Sequence, residues 1–149
     1  EGRMGVMPPH AQLGAETIKD LANYVRSLSG LPNDSVRTAK GKEAFATVGC
    51  SGCHGPDAKG MQALGAPNLT DKIWRFEGSV EGIKRTIAYG VNSGDPKGHV
   101  AVMPSFKEAG KLSDAEIKKL AVYVYKFGGG HADAPAETEA AASTPAAAK

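Results

Sequence analysis

The stretch Cys50-Ser51-Gly52-Cys53-His54-Gly55-Pro56 decides the reading of this 149-residue chain, because it holds both of the chain's cysteines in a C-x-x-C-H pattern. That pattern marks covalent haem attachment. Its spacing has a chemical reason. Each thiol must reach one vinyl-derived carbon on adjacent pyrroles, and the residue that follows then swings under the iron. Cys50 and Cys53 are therefore the expected tethers and His54 the expected first axial ligand. No other thiol exists, so a disulfide framework is excluded. A zinc site would have to recruit His10, His99 and His131, which show no metal-finger spacing. A thioredoxin-like pair would need a strand running into the motif, whereas its flanks read as Gly-rich and helical.

Outward from the motif, three helices are expected in the surrounding domain. Asp34 or Ser35 can cap a helix over Val36 to about Val48, which puts Gly41 and Phe45 one turn apart on one face. Ser79 can cap a second, ending at Tyr89 before Gly90, with Val80, Ile83 and Ile87 as its apolar stripe. Ser113 and Glu116 form a capping-box pattern for a third that runs to Lys126 and stops at Gly128-Gly129-Gly130. The expected fold class is all-α. Aromatic content is only 6%, with one Trp, and a bound apolar cofactor would enlarge so small a core.

The sixth iron ligand should come from far along the chain, so that the polypeptide wraps both haem faces. Met103, 49 residues beyond His54 and followed by Pro104, is the expected donor. A thioether is a soft ligand that raises the potential and suits electron transfer. His99 is the rival donor. Met61 follows His54 by only seven residues, too few to cross to the other face. Pro67, in Gly65-Ala66-Pro67-Asn68-Leu69, is the expected carbonyl partner of the second His54 ring nitrogen.

An internal repeat organises the whole chain. Met7-Pro8, Leu13, Ile18, Leu21, Tyr24, Val25 and Gly30 recur as Met103-Pro104, Leu112, Ile117, Leu120, Tyr123, Val124 and Gly129, at a constant offset of 99 from Leu13 onward. Only the second copy has a C-x-x-C-H upstream. Residues 1–31 therefore read as the C-terminal part of a preceding, similar domain, 32–35 as a linker and 36–130 as a complete domain. Ile18, Leu21, Val25 and Leu28 predict a helix from about Ala15 to Ser29 in the first copy. Such a helix must dock on the intact domain, dock on a neighbouring molecule in a crystal, or fray, and Met7 is expected to bind nothing. The Ala/Pro-rich segment 131–149 has no large apolar residue and is expected to be disordered.

Net charge divides unevenly. Residues 36–130 hold 14 Lys or Arg against 9 Asp or Glu, giving +5, while 1–35 contribute −1 and 131–149 −2. A basic domain can be steered toward an acidic partner. Nucleic acid is a poor fit, since no basic cluster is interleaved with aromatics. No apolar run approaches the roughly 18 to 20 residues of a bilayer span.

These motifs resemble a class I cytochrome c. The resemblance implies that first and last helices cross, with Gly41 and Phe45 meeting Leu120 and Tyr123. Cys53-His54-Gly55-Pro56-Asp57-Ala58-Lys59-Gly60 and Ala66-Pro67-Asn68-Leu69-Thr70-Asp71-Lys72-Ile73-Trp74 further resemble the dihaem c-type subunit of cbb3-type cytochrome c oxidases. That subunit carries two tandem cytochrome domains behind a membrane anchor. The resemblance implies one haem c here, a donor cytochrome c and other oxidase subunits as partners, and a place on the periplasmic side of the bacterial inner membrane. It also implies that the full-length protein is anchored by sequence upstream. Trp74 and Arg75 would bond a haem propionate, or else act as a core Trp and a solvated Arg. The chain departs from the pattern in a longer Asn92 to Val102 loop and in its Ala/Pro tail. The implied function is electron relay with no bond-making step. A soluble or dehydrogenase-fused carrier is the alternative, and a haem enzyme or gas sensor would need an open sixth position.

Overall fold

The computed structural model describes residues 5–127, which divide into two compact units between Pro104 and Ser105. In the first unit, a short 3-10 turn at Ala11–Leu13 leads into α1 (Ala15–Leu28). There follow α2 (Ser35–Thr47), the one-turn α3 (Cys50–His54), a second 3-10 turn at Gln62–Leu64, and α4 (Val80–Tyr89). The second unit contains α5 (Asp114–Phe127). No strand occurs among the described residues, only three isolated bridges. The fold is all-α. Segment 131–149 and the Gly128–Gly130 stop lie outside the described residues.

Local chemistry sets the helix limits. Asp34 caps α2 by accepting from the Val36 and Arg37 amides at 2.9 and 3.0 Å, and those bonds hold its carboxyl below the usual range. Ser79 Oγ accepts from Gly82 N at 3.0 Å at the start of α4, and Gly90, at φ +76, ends it. Ser113 and Glu116 bond reciprocally before α5: Glu116 Oε2 accepts from Ser113 N at 2.8 Å, and Ser113 Oγ from Glu116 N at 3.4 Å. The helix limits fall within a residue of those read from sequence.

Three helices of the first unit build its core. Ile18, Leu21, Ala22 and Val25 line the buried face of α1, and they join Phe45 of α2 and Ile83 and Ile87 of α4. α1 packs on both α2 and α4. Gly41 permits the closest crossing: a β-carbon there would collide with the Asp20 carbonyl and lie 2.8 Å from Tyr24 Cβ. Beside it the Tyr24 and Phe45 rings meet edge-on, centroids 5.4 Å apart. Gly41 and Phe45 thus meet Asp20 and Tyr24 of the first repeat copy, where the resemblance implied Leu120 and Tyr123 of the second. The reason lies in the repeat, which gives the first copy the same Leu and Tyr 99 positions earlier and adds an acid opposite Arg37. That guanidinium donates to Asp20 at 2.8 Å and Glu16 at 2.9 Å. The docking option read for residues 15–29 is the one adopted, and segment 5–31 shares one unit with residues 36–104.

Gly41→Leu should therefore force α1 off α2 and cost about 1–3 kcal/mol, as overpacking a tight contact does. A lowered urea midpoint in the haem-loaded chain checks this, and an unchanged midpoint contradicts the α1–α2 contact.

Candidate haem-attachment site

The turn α3 exists to place three side chains. It begins after Gly49, at φ +96, and ends before Gly55, at φ +79, both left-handed positions that favour glycine. Within its five residues Cys50 is half-buried, Cys53 exposed and His54 buried. Both thiols are free, and burial pushes the Cys50 thiol up.

His54 is held from the loop that follows. Its Nδ1 lies 3.1 Å from the Pro67 carbonyl, so the structure brings together the two residues that the sequence pairs. A carbonyl only accepts, which makes Nδ1 the protonated nitrogen and leaves the Nε2 lone pair for a metal. Burial pulls the imidazole pKa down, with the Pro67 bond opposing that shift in part. Burial thus favours the neutral ring, the form in which an imidazole binds a metal.

The loop over 55–69 is fixed by its backbone. Gly60 N donates to His54 O at 2.8 Å, Leu69 N to Ala58 O at 2.8 Å, and Met61 and Ala66 exchange bonds at 3.0 and 3.2 Å. Gly60, at φ +84, makes the approach possible, since a β-carbon there would lie 2.5 Å from Pro67 C and 2.6 Å from Ala66 O. Gly60 was not singled out in the sequence, where Lys59-Gly60 gives only a turn signal.

The remaining expected residues are spread more widely. Trp74 is half-buried against the core cluster, its ring stacked over Gly78, and Arg75 is exposed. Met103 is 72% exposed, whereas Met7 is half-buried against the core. His99 stacks on Phe76 with ring centroids 4.0 Å apart, and its buried Nε2 has no partner among the described residues. Asn92 was missed altogether. It bonds both Gly5 and Ala101, and its left-handed φ of +52 is a conformation that Asn tolerates better than most residues.

The donor set fits a covalent haem. It offers two free thiols and a neutral, oriented imidazole within one turn, and loops that expose Met61, Leu64, Ile73, Val100 and Val102 for an apolar group to cover. No cluster of three or more His, Cys, Asp or Glu that could hold a metal ion occurs among the described residues.

Residues 38–127 match the family model described as cytochrome c. The chain belongs to the cytochrome c family. Within that class it is similar to the Cbb3-type cytochrome c oxidase subunit CcoP of Rubrivivax gelatinosus, 44% identical over 128 residues, which is 85% of this chain and 38% of that protein. It is 41% identical over 131 residues to subunit FixP of Bradyrhizobium diazoefficiens, covering 87% of this chain and 41% of the relative. Identity to CcoP of Rhodobacter capsulatus is 40% over 132 residues, covering 83% and 41%. The chain thus spans about two fifths of the length of these relatives.

Replacing both tethers, Cys50→Ala with Cys53→Ala, should leave little protein carrying haem after denaturing electrophoresis and haem staining. Normal staining would contradict the attachment site.

Proposed function

We propose that this chain relays single electrons through one haem c, within a cbb3-type cytochrome c oxidase that serves aerobic respiration. The observation that carries the reading is the buried His54 on the same turn as Cys50 and Cys53, with its Nδ1 committed to the Pro67 carbonyl. When bound, the haem supplies the one-electron couple. The chain supplies the rest. Cys50 and Cys53 would tether the group, and His54 would offer Nε2 to its iron. Met103 is the assigned thioether donor to the same iron, where soft sulfur would raise the potential. Trp74 and Arg75 are assigned to the propionate edge, where an indole N–H and a guanidinium would bond carboxylates.

On this reading the chain is a relay subunit whose complex reduces oxygen elsewhere. Similarity to CcoP and FixP supports the oxidase over a free-standing or dehydrogenase-fused carrier. It also supports other subunits of such an oxidase as partners, and the proposal extends to a donor cytochrome c, a periplasmic position and a membrane anchor in the full-length protein. Among the described residues no helix is long and apolar enough to cross a membrane.

Two measurements on the haem-loaded chain test this reading. Its ferric form should show the far-red absorption band of methionine ligation and its ferrous form should exclude carbon monoxide, whereas an open iron that binds carbon monoxide at once would indicate a sensor or enzyme. Its reduction by a small acidic donor should slow as salt rises from about 10 to 150 mM, because the Debye length falls from about 30 to 8 Å. A rate independent of salt would deny the +5 surface a docking role.

A further inference from the structure

The loop that runs from α4 toward Met103 is closed at its base by a short parallel pairing. His99 N donates to Gly90 O at 3.0 Å and Asn92 N to His99 O at 2.8 Å, on either side of the Val91–His99 bridge. In a parallel ladder the next bond would run from the Ala101 amide to the Asn92 carbonyl. At φ +52, however, Asn92 has left the extended conformation, and its side chain takes over the rung: Oδ1 accepts from Ala101 N at 2.7 Å. Asn and Asp combine tolerance of a left-handed φ with an oxygen at that reach, whereas Gly adopts the conformation and offers no acceptor.

The extra length of this loop is folded away against the end of α4. Ser93 Oγ donates to Tyr89 O at 2.6 Å, Gly98 N to Asp95 O at 2.9 Å, and Arg85 Nε to Lys97 O at 3.0 Å. The excursion therefore returns to the Asn92 side chain before the chain moves on. Ala101 is two residues before Met103. Among the described residues no hydrogen bond is made by Val102, Met103 or Pro104, so the Asn92–Ala101 bond is the last fixed point before the methionine.

We propose that Asn92 is the positioning residue for the sixth iron ligand, its Oδ1 fixing the point from which Met103 reaches the metal. The proposal rests on the Met103 reading given above. A thioether carried on a strap without that fixed point leaves the iron more often, and each departure opens the position to carbon monoxide.

The test measures the carbon monoxide affinity of the haem-loaded ferrous chain in three variants. Asn92→Gly keeps the left-handed backbone and removes the acceptor, and it should raise the affinity roughly fivefold, the worth of one net hydrogen bond, with haem staining unchanged. Asn92→Asp keeps Oδ1 and gives up only the Nδ2 bond to Gly5 O, so it should leave the affinity as it was. Ser93→Gly loosens the same loop without touching Ala101 and should also leave it as it was. Hydrogen exchange at the Ala101 amide should quicken in Asn92→Gly alone, a readout independent of the iron. An unchanged affinity in Asn92→Gly, or an equal rise in Asn92→Asp or Ser93→Gly, overturns the proposal while the methionine reading stands. Absence of the ferric far-red band from the unsubstituted chain overturns the methionine reading itself, and the proposal with it.

Discussion

The Pro67 carbonyl fixes the His54 imidazole, and the rest of the site is arranged to keep that one hydrogen bond in place. Without it the ring could rotate or present the wrong nitrogen, and an imidazole that is not held neutral and aimed is a poor iron ligand. The left-handed glycines around α3 set the ring's entry and exit, and Gly60 lets the 55–69 loop fold back until Pro67 reaches it. Burial of His54 works in the same direction by disfavouring its charged form. The tethers and the ligand thus sit on a single short helical turn, with Gly52 N bonded to Gly49 O at its start and Gly60 N to His54 O at its end.

That turn is supported in turn by a small helical core. α1, α2 and α4 meet around Leu21, Phe45 and Ile83, and their closest contact depends on Gly41 having no side chain. Among the described residues Leu21 is the largest side chain that is fully buried. A core of this size gains much from a large apolar group seated beside it, which agrees with the low aromatic content of the sequence.

The motif, the helix limits, the caps at Asp34, Ser79 and Ser113, and the His54–Pro67 pairing were legible because each depends on local spacing. Chemistry that repeats within five residues, or within a helical turn, is written directly in the chain. The partner of Gly41 was not legible. The repeat supplies two helices with the same Leu and Tyr pattern, and apolar periodicity cannot choose between them. Arg37 with Asp20, and Asn23 with the Asp34 amide, join α1 to α2, but such polar pairings are visible only once the helices are side by side. Asn92 escaped for the same reason, since its role is to join segments that are distant in sequence.

An equilibrium redox titration of the purified chain, followed by visible absorption, tests the central claim most directly. A haem-based relay predicts a reversible transition in the haem bands with a one-electron slope of about 59 mV per tenfold change in ratio. A silent visible spectrum, with a two-electron slope of about 30 mV arising from Cys50 and Cys53 as a dithiol couple, would contradict it.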